Sequence, residues 1–259
     1  MFSDYRNLVD FIGVCPQEDV LIDRMTVSEN LMFFCKFKNT ENPDQVIQET
    51  LDKFNLYEKR DTQAMSLSGG QKRKLQLAIA LMGDAKIVLL DEPSSGMDPT
   101  ARREAWDIIQ NAKKDKIIIL TTHYMDEAEQ LADRVAIVSQ GSLQACGSSM
   151  FLKQKYGQGF FFEMELNDEH EEENEAFTNF VNEQLAAIDH TEPIKIYKNE
   201  QNRVVYELPY KICERFSFFQ QEMDENGDKY SIKDYLIRSS TLEEVFITLG
   251  ELEKKSEEK

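Results

Sequence analysis

Residues 67–99 read LSGGQKRKLQLAIALMGDAKIVLLDEPSSGMDP, and the order of features in this run decides the architecture. Ser68 stands where a helix N-cap belongs, ahead of QKRKLQLAIALM, a run of strong helix formers that Gly83 is placed to end in a left-handed turn. The strand expected at 86–90 is apolar without alternation after Lys86, as for a strand buried on both faces, and it delivers Asp91 and Glu92 at its C-terminal end. Asp98-Pro99 has the form of a helix start, with the helix expected to run to about Ala112. Helix, buried strand and helix in succession imply a parallel α/β sheet, whose ligands bind outside the carboxyl ends of its strands.

Outward from this run the same pattern continues. Residues 116–121 form the next expected buried strand, with His123 just past its end. Residues 11–14 suggest a short strand, and Pro16 in Cys15-Pro16-Gln17 stops regular pairing and leaves Gln17 on a loop. Thr26 and Glu29 have capping-box spacing at the head of a helix carrying Leu31, Phe33, Phe34 and Phe37, an aromatic stripe expected to be core. Asn42-Pro43 is expected to cap a second helix toward Leu56. Strands at 134–139 and 142–146 meet at Gln140-Gly141.

Beyond Gly157-Gln158-Gly159 the pattern changes. Strands near 160–166, 193–197, 203–208 and 230–237 alternate with helices near 175–188 and 212–223, and TLEEVFITLGELEKK closes the chain as a helix. That βαββαβ order reads as a ferredoxin-like split βαβ unit. Two domains follow, 1–156 and 157–259, the first α/β and the second a small α+β unit with no nucleotide, metal or nucleophile motif.

Composition narrows the function classes. In 259 residues, 41% of them hydrophobic, no apolar run approaches the roughly 18 residues needed to cross a bilayer. The opening MFSDYRNLVD lacks the basic and apolar regions of a secretory signal, and Cys15, Cys35, Cys146 and Cys213 have no metal-ligand spacing, which suits a reducing compartment. A formal net charge of −18 disfavours nucleic acid and anionic headgroups as partners. Much of that charge lies at 167–175 and in the closing ELEKKSEEK, both read as solvated surface.

The ordered motifs resemble those of ATP-binding cassette (ABC) ATPases. Cys15-Pro16-Gln17 resembles their Q-loop, Leu67 to Gln71 their LSGGQ signature, Ile87 to Glu92 their Walker B strand, Ser95-Gly96-Met97-Asp98 their D-loop and His123 their switch histidine. The phrases IGVCPQ, LTTHYMDEAEQLADRVAI and STLEEVF are similar to the A subfamily, whose members mostly move lipids. The resemblance implies a P-loop NTPase (RecA-like) ABC cassette with a helical signature subdomain, followed by the ferredoxin-like unit as a regulatory domain. No Gly-Lys dipeptide occurs in the 259 residues, so the phosphate-wrapping GxxxxGK[ST] loop is missing from them and the cassette is expected to be N-terminally truncated.

The resemblance also implies roles, residue by residue, around ATP and Mg²⁺. Asp91 supplies a hard oxygen to Mg²⁺, and Gln17 reaches both the metal and the attacking water. Glu92 orients or deprotonates that water, while His123 donates to the γ-phosphate and holds Glu92. Ser68, Gly69, Gly70 and Gln71 meet the γ-phosphate of a nucleotide held by an opposing subunit. Asp98 either crosses that dimer interface or simply caps its helix. The partners implied are a second nucleotide-binding domain and the transmembrane domains of a transporter, at the cytoplasmic face of a membrane. ATP binding and hydrolysis coupled to transmembrane, lipid-directed transport is the function this implies. The alternatives are a non-catalytic cassette that lends its signature to a partner ATPase or regulates it, and a soluble ABC ATPase. The short interval between Gln17 and the signature leaves no room for the long coiled coil of the latter. Without the Gly-rich cradle and its lysine, this polypeptide alone is expected to show no steady ATPase, and one sheet face is expected to be left apolar and exposed.

Overall fold

A computed structural model describes residues 11–166, 171–188, 190, 195–198, 203–230 and 232–257. The chain divides into two compact units, Met1–Leu131 and Ala132–Lys259. The hairpin and short helix that precede residue 157 group with the second of these units, as described below.

The first unit is built on a parallel sheet in the order β1 (Ile12–Cys15), β2 (Ile87–Asp91), β3 (Ile117–Thr121). Cys15 pairs with Leu90 and Asp91 with Thr121, so all three strands end along one edge. α1 (Val27–Phe37) opens with the expected capping box, Thr26 and Glu29 exchanging side-chain and backbone bonds. α2 (Pro43–Lys53) starts with Pro43 at its first turn, but Asn42 is left-handed and makes no side-chain cap. α3 (Gly69–Leu81) is capped by Ser68, and Gly83 at φ +66 turns the chain out of it. α4 (Pro99–Ala112) begins at its Asp98 cap, and α5 (Met125–Leu131) follows β3.

α3 is buried on nearly every side from Leu75 to Leu81, and it passes close over β1. A Cβ on Gly13 would lie 1.9 Å from the Ala80 carbonyl oxygen, so only glycine permits that approach. The core gathers Leu75, Leu77 and Ala78 from α3, Val88 and Leu90 from β2, and Ile109 from α4.

The continuous apolar runs of β2 and β3 are not buried on both faces. Val14, Leu89, Ile117 and Ile119 are exposed, while Cys15, Val88 and Leu90 lie in the core. Alternate residues of a strand face opposite ways, so helices cover one face of this sheet and its other face is open apolar surface. The aromatic stripe of α1 also departs from expectation. Val27, Leu31 and Cys35 are fully buried, whereas Phe33 and Phe37 are exposed. The buried set repeats at i, i+4, i+8, and that spacing turns Phe33 and Phe37 to another side of the helix.

In the second unit β4 (Val135–Ser139) and β5 (Ser142–Gly147) form an antiparallel hairpin, with Gln140 and Gly141 both at positive φ as a tight primed turn requires. α6 (Ser149–Tyr156) packs against the terminal helix α9 (Leu242–Glu257). Buried Ser240 ties the segment between α6 and the next strand. Its Oγ accepts from Gln158 N at 3.1 Å and Gly159 N at 3.2 Å and donates to the Gly159 carbonyl.

The sheet of this unit contains β6 (Phe160–Leu166), β7 (Lys195–Lys198), β8 (Arg203–Leu208) and β9 (Ile232–Ser239) in the order β7-β8-β6-β9, every neighbour antiparallel. α7 (Glu171–Ala186) lies between β6 and β7 in the chain, and α8 (Phe216–Asn226) between β8 and β9. The second core is aromatic, with Phe162, Phe177, Tyr206 and Phe219 fully enclosed. Part of the acidic run expected at 167–175 lies outside the described residues.

Candidate functional site

The strand ends of the first unit bring together four of the residues singled out above. Asp91 closes β2 and accepts a hydrogen bond from the Thr121 hydroxyl at the end of β3. Glu92 follows at φ +50, a left-handed conformation uncommon for a residue with a side chain. Its N–H donates to Thr121 O at 3.0 Å, which carries the sheet pairing one residue past the strand. His123, beyond β3, places Nδ1 2.7 Å from Glu92 Oε2. The carboxylate oxygen is buried and accepts no well-aligned hydrogen bond, so the contact is close in distance but unaligned. Gln17 lies on the exposed loop past β1 and meets this edge through its carbonyl, 3.4 Å from Arg73 Nη1.

The imidazole of His123 is itself braced. Its ring lies 4.0 Å from that of Tyr124, centroid to centroid, and the Arg102 guanidinium sits 4.2 Å from the Tyr124 ring centroid. Arg102 reaches Asp126 at 3.9 Å. The His123 side chain remains largely exposed at 62%, against 15% for Glu92, so its other nitrogen is open to a ligand.

Ser68, Gly69, Gly70 and Gln71 sit at the N-terminus of α3. Ser68 Oγ accepts from Gln71 N at 3.3 Å and Gln71 Oε1 accepts from Ser68 N at 3.1 Å, so both side chains are engaged in the cap. The N–H groups of Gly69 and Gly70 open the helix, where no intrahelical acceptor exists and the dipole favours an anion. A Cβ on either glycine would meet nothing within 4 Å, so the fold itself has no steric need of glycine there. Two glycines at the first two helical positions leave room for an outside group to approach these N–H groups closely. Asp98 caps α4 through Oδ1, which accepts from Thr100 N and Ala101 N at 3.0 Å each. Those N–H groups, that of Ala101 foremost, hold its carboxyl below the ordinary carboxylate range.

The residue that sequence reasoning missed is Arg73. It is 6% exposed and joins the signature helix to the strand ends. Nη1 donates to Pro16 O at 2.6 Å and to Gln76 Oε1 at 2.8 Å, Nη2 to the carbonyls of Asp91 and Glu92, and Nε to Pro93 O at 3.2 Å. Gln76 and Lys72 extend the link, Gln76 Nε2 reaching Glu18 O and Asp19, and Lys72 pairing with Asp23 at 3.4 Å. Cys15, beside Arg73 at the end of β1, has its thiol pushed up to about 11 by burial and stays neutral.

The donor set supplies the metal-facing part of a site for a nucleotide with Mg²⁺, while the Gly-rich phosphate cradle and its lysine are not among the 259 residues. Asp91 and the Gln17 amide offer hard oxygens, and Mg²⁺ uses few protein ligands and keeps several waters. Among the described residues no group of three or more His, Cys, Asp or Glu forms a metal cage.

A family model described as "ABC transporter" matches residues 3–95. ABC transporter A family member 5 of Dictyostelium discoideum is 42% identical over 243 residues, which is 92% of this chain and 14% of that protein. Phospholipid-transporting ATPase ABCA3 of Rattus norvegicus is 38% identical over 243 residues, 93% of this chain and again 14% of the relative. The chain thus spans about one seventh of the length of these relatives. A solved structure of an ATP-binding subunit of an ABC transporter superimposes with a TM-score of 0.52 at 23% identity, over 57% of this chain and 63% of that one.

Proposed function

The chain carries an A-subfamily ABC nucleotide-binding domain, and from that premise we propose that it supplies part of the ATP- and Mg²⁺-dependent motor of a transporter moving lipid across a membrane, the Gly-rich phosphate loop that its 259 residues lack being needed to complete the hydrolytic site. The observation that carries this is the meeting of Glu92 and His123, 2.7 Å apart, one residue past the Asp91 that ends β2. Lipid as cargo draws on the printed names of relatives, a phospholipid-transporting ATPase and a cholesterol transporter.

In this account Glu92 orients the attacking water and takes its proton, as a half-buried carboxylate beside a phosphate can do. His123 steadies that carboxylate through Nδ1 and offers Nε2 to the γ-phosphate. Asp91 and Gln17 hold Mg²⁺, which when bound neutralises charge on the phosphate oxygens. Ser68 and the N–H groups of Gly69 and Gly70, with Gln71, face the nucleotide of a second cassette. Asp98 lies toward that same interface while capping α4. Membrane domains as the remaining partners draw on the printed transporter names of the relatives. For residues 157–259 we infer a ferredoxin-like regulatory domain. Support comes from the βαββαβ order and from the antiparallel β7-β8-β6-β9 sheet.

Nucleotide-dependent pairing tests the shared nucleotide site, while Glu92→Gln in an assembled transporter tests hydrolysis. Mixed with an intact cassette, the chain should form a heterodimer in ATP and Mg²⁺ that sediments apart from the monomers, and Gly70→Asp should abolish it. The open space at Gly70 lets the variant fold, so its failure would report on the nucleotide. Pairing indifferent to ATP would contradict the proposal.

A further inference from the structure

Arg73 is a buried cation with no carboxylate partner among the described residues; its guanidinium is satisfied by carbonyls. Three of those carbonyls are consecutive, on Asp91, Glu92 and Pro93. In an extended strand successive carbonyls point to opposite sides, so three in a row cannot converge on one group. Convergence requires a break in the extended backbone, and Glu92 at φ +50 supplies it. The left-handed residue and the guanidinium fork therefore define each other. From the sheet side the same residue is held by its N–H bond to Thr121 O. A non-glycine residue persists in this conformation only where its surroundings over-determine it.

We propose that Arg73 is a positioning residue that fixes the main chain of Glu92, and with it the aim of the Glu92 carboxylate at His123. The same guanidinium holds the carbonyls of Pro16 and Gln17, so the loop carrying Gln17 and the end of β2 are clamped to the first turns of α3, next to Ser68 and Gln71. Whatever seats at the head of α3 is thereby linked to the geometry of Glu92. A lysine cannot do this, because one ammonium lacks the planar fork that reaches two segments at once. The functional weight of the proposal rests on Glu92 being the reacting carboxylate.

The experiment follows single amides by hydrogen exchange in the full chain, wild type against Arg73→Lys and Arg73→Met. The Glu92 amide, bonded to Thr121 O, is the probe, and the Val27 amide, bonded to Thr62 O, is the control. Exchange at Glu92 should accelerate by about tenfold or more in both variants with Val27 unchanged, as for a local opening. Wild-type exchange at Glu92 in either variant would overturn the proposal. So would acceleration shared by Val27, which marks a general loss of structure. Glu92→Gln separates the two ideas, since it should keep slow exchange at position 92. If Arg73→Lys frees that amide while ATP turnover of the assembled transporter is unchanged, the catalytic role of Glu92 fails and the positioning role of Arg73 stands.

Discussion

His123 Nδ1 lies 2.7 Å from Glu92 Oε2, joining residues that stand two and one positions past the ends of neighbouring parallel strands. Neither strand alone could set this distance. It depends on the register that pairs Asp91 with Thr121 and on the left-handed backbone of Glu92. Since Nδ1 faces the carboxylate, Nε2 is the nitrogen to which the proposal assigns a phosphate oxygen. In a turnover-competent assembly His123→Ala should lower the hydrolysis rate by about 10²-fold, the usual scale for losing a positioned proton-handling group. Nucleotide binding should be nearly unchanged. Single-turnover kinetics separate the two effects, and an unaltered rate would remove His123 from the site.

The signature serine has a structural share that can be measured apart from any ligand. Ser68→Ala removes one half of the reciprocal cap and should destabilise the chain by about 1 kcal/mol, with Ser68→Gly costing only a few tenths. Urea denaturation of the full chain gives both values. A Ser68→Ala variant as stable as wild type would mean that the cap contributes nothing.

Asp98 gives a pH dependence of fixed sign. The N–H groups of Ala101 and Thr100 favour its charged form in the folded chain and hold its pKa below 3.8. Its contribution is therefore fully present above pH 3.8 and is lost as pH falls through the lower folded value. The melting temperature of wild type should exceed that of Asp98→Asn above that range, and the gap should close on acidification. A gap independent of pH would contradict the capping account.

Thiol labelling of the native chain should find two reactive groups. Cys146 and Cys213 are exposed, whereas Cys15 and Cys35 are buried and burial raises the pKa of each, that of Cys15 to about 11. Reaction requires thiolate and access, so Cys15 and Cys35 should label only on unfolding. Fast native labelling of Cys15 would show that the end of β1 opens.

Much of this arrangement was legible in the sequence, because local chemistry fixes local structure. Thr26 with Glu29, Ser68 with Gln71, and Asp98 before Pro99 each announce a helix start through the N–H groups they satisfy. The run IVLLD announces a strand, and strand ends of a parallel sheet announce the site. Arg73 was not legible, since its role arises from carbonyls distant in sequence and it sits in a run of cations, Lys72 to Lys74, that reads as solvated surface. The available clue was that Arg73 stands at helical spacing from buried Leu77 and Ala80. The exposure of Phe33 and Phe37 was missed for the converse reason. An apolar stripe says which residues share a helix face, not which of two apolar faces meets the core. The one-sided burial of β2 and β3 is not encoded in strand composition, which reads as buried on both faces; the expectation of one open apolar face came instead from the missing Gly-rich loop and the helix that follows such a loop.

The most direct test of the central claim places this chain in the frame of a transporter. In the Rattus norvegicus phospholipid-transporting relative, the matching stretch is replaced by residues of this chain, and ATP turnover is measured with and without Glu92→Gln. The account expects turnover in the parent chimera, a fall of about 10³-fold in Glu92→Gln, and retained ATP binding. Turnover that Glu92→Gln leaves intact would contradict it.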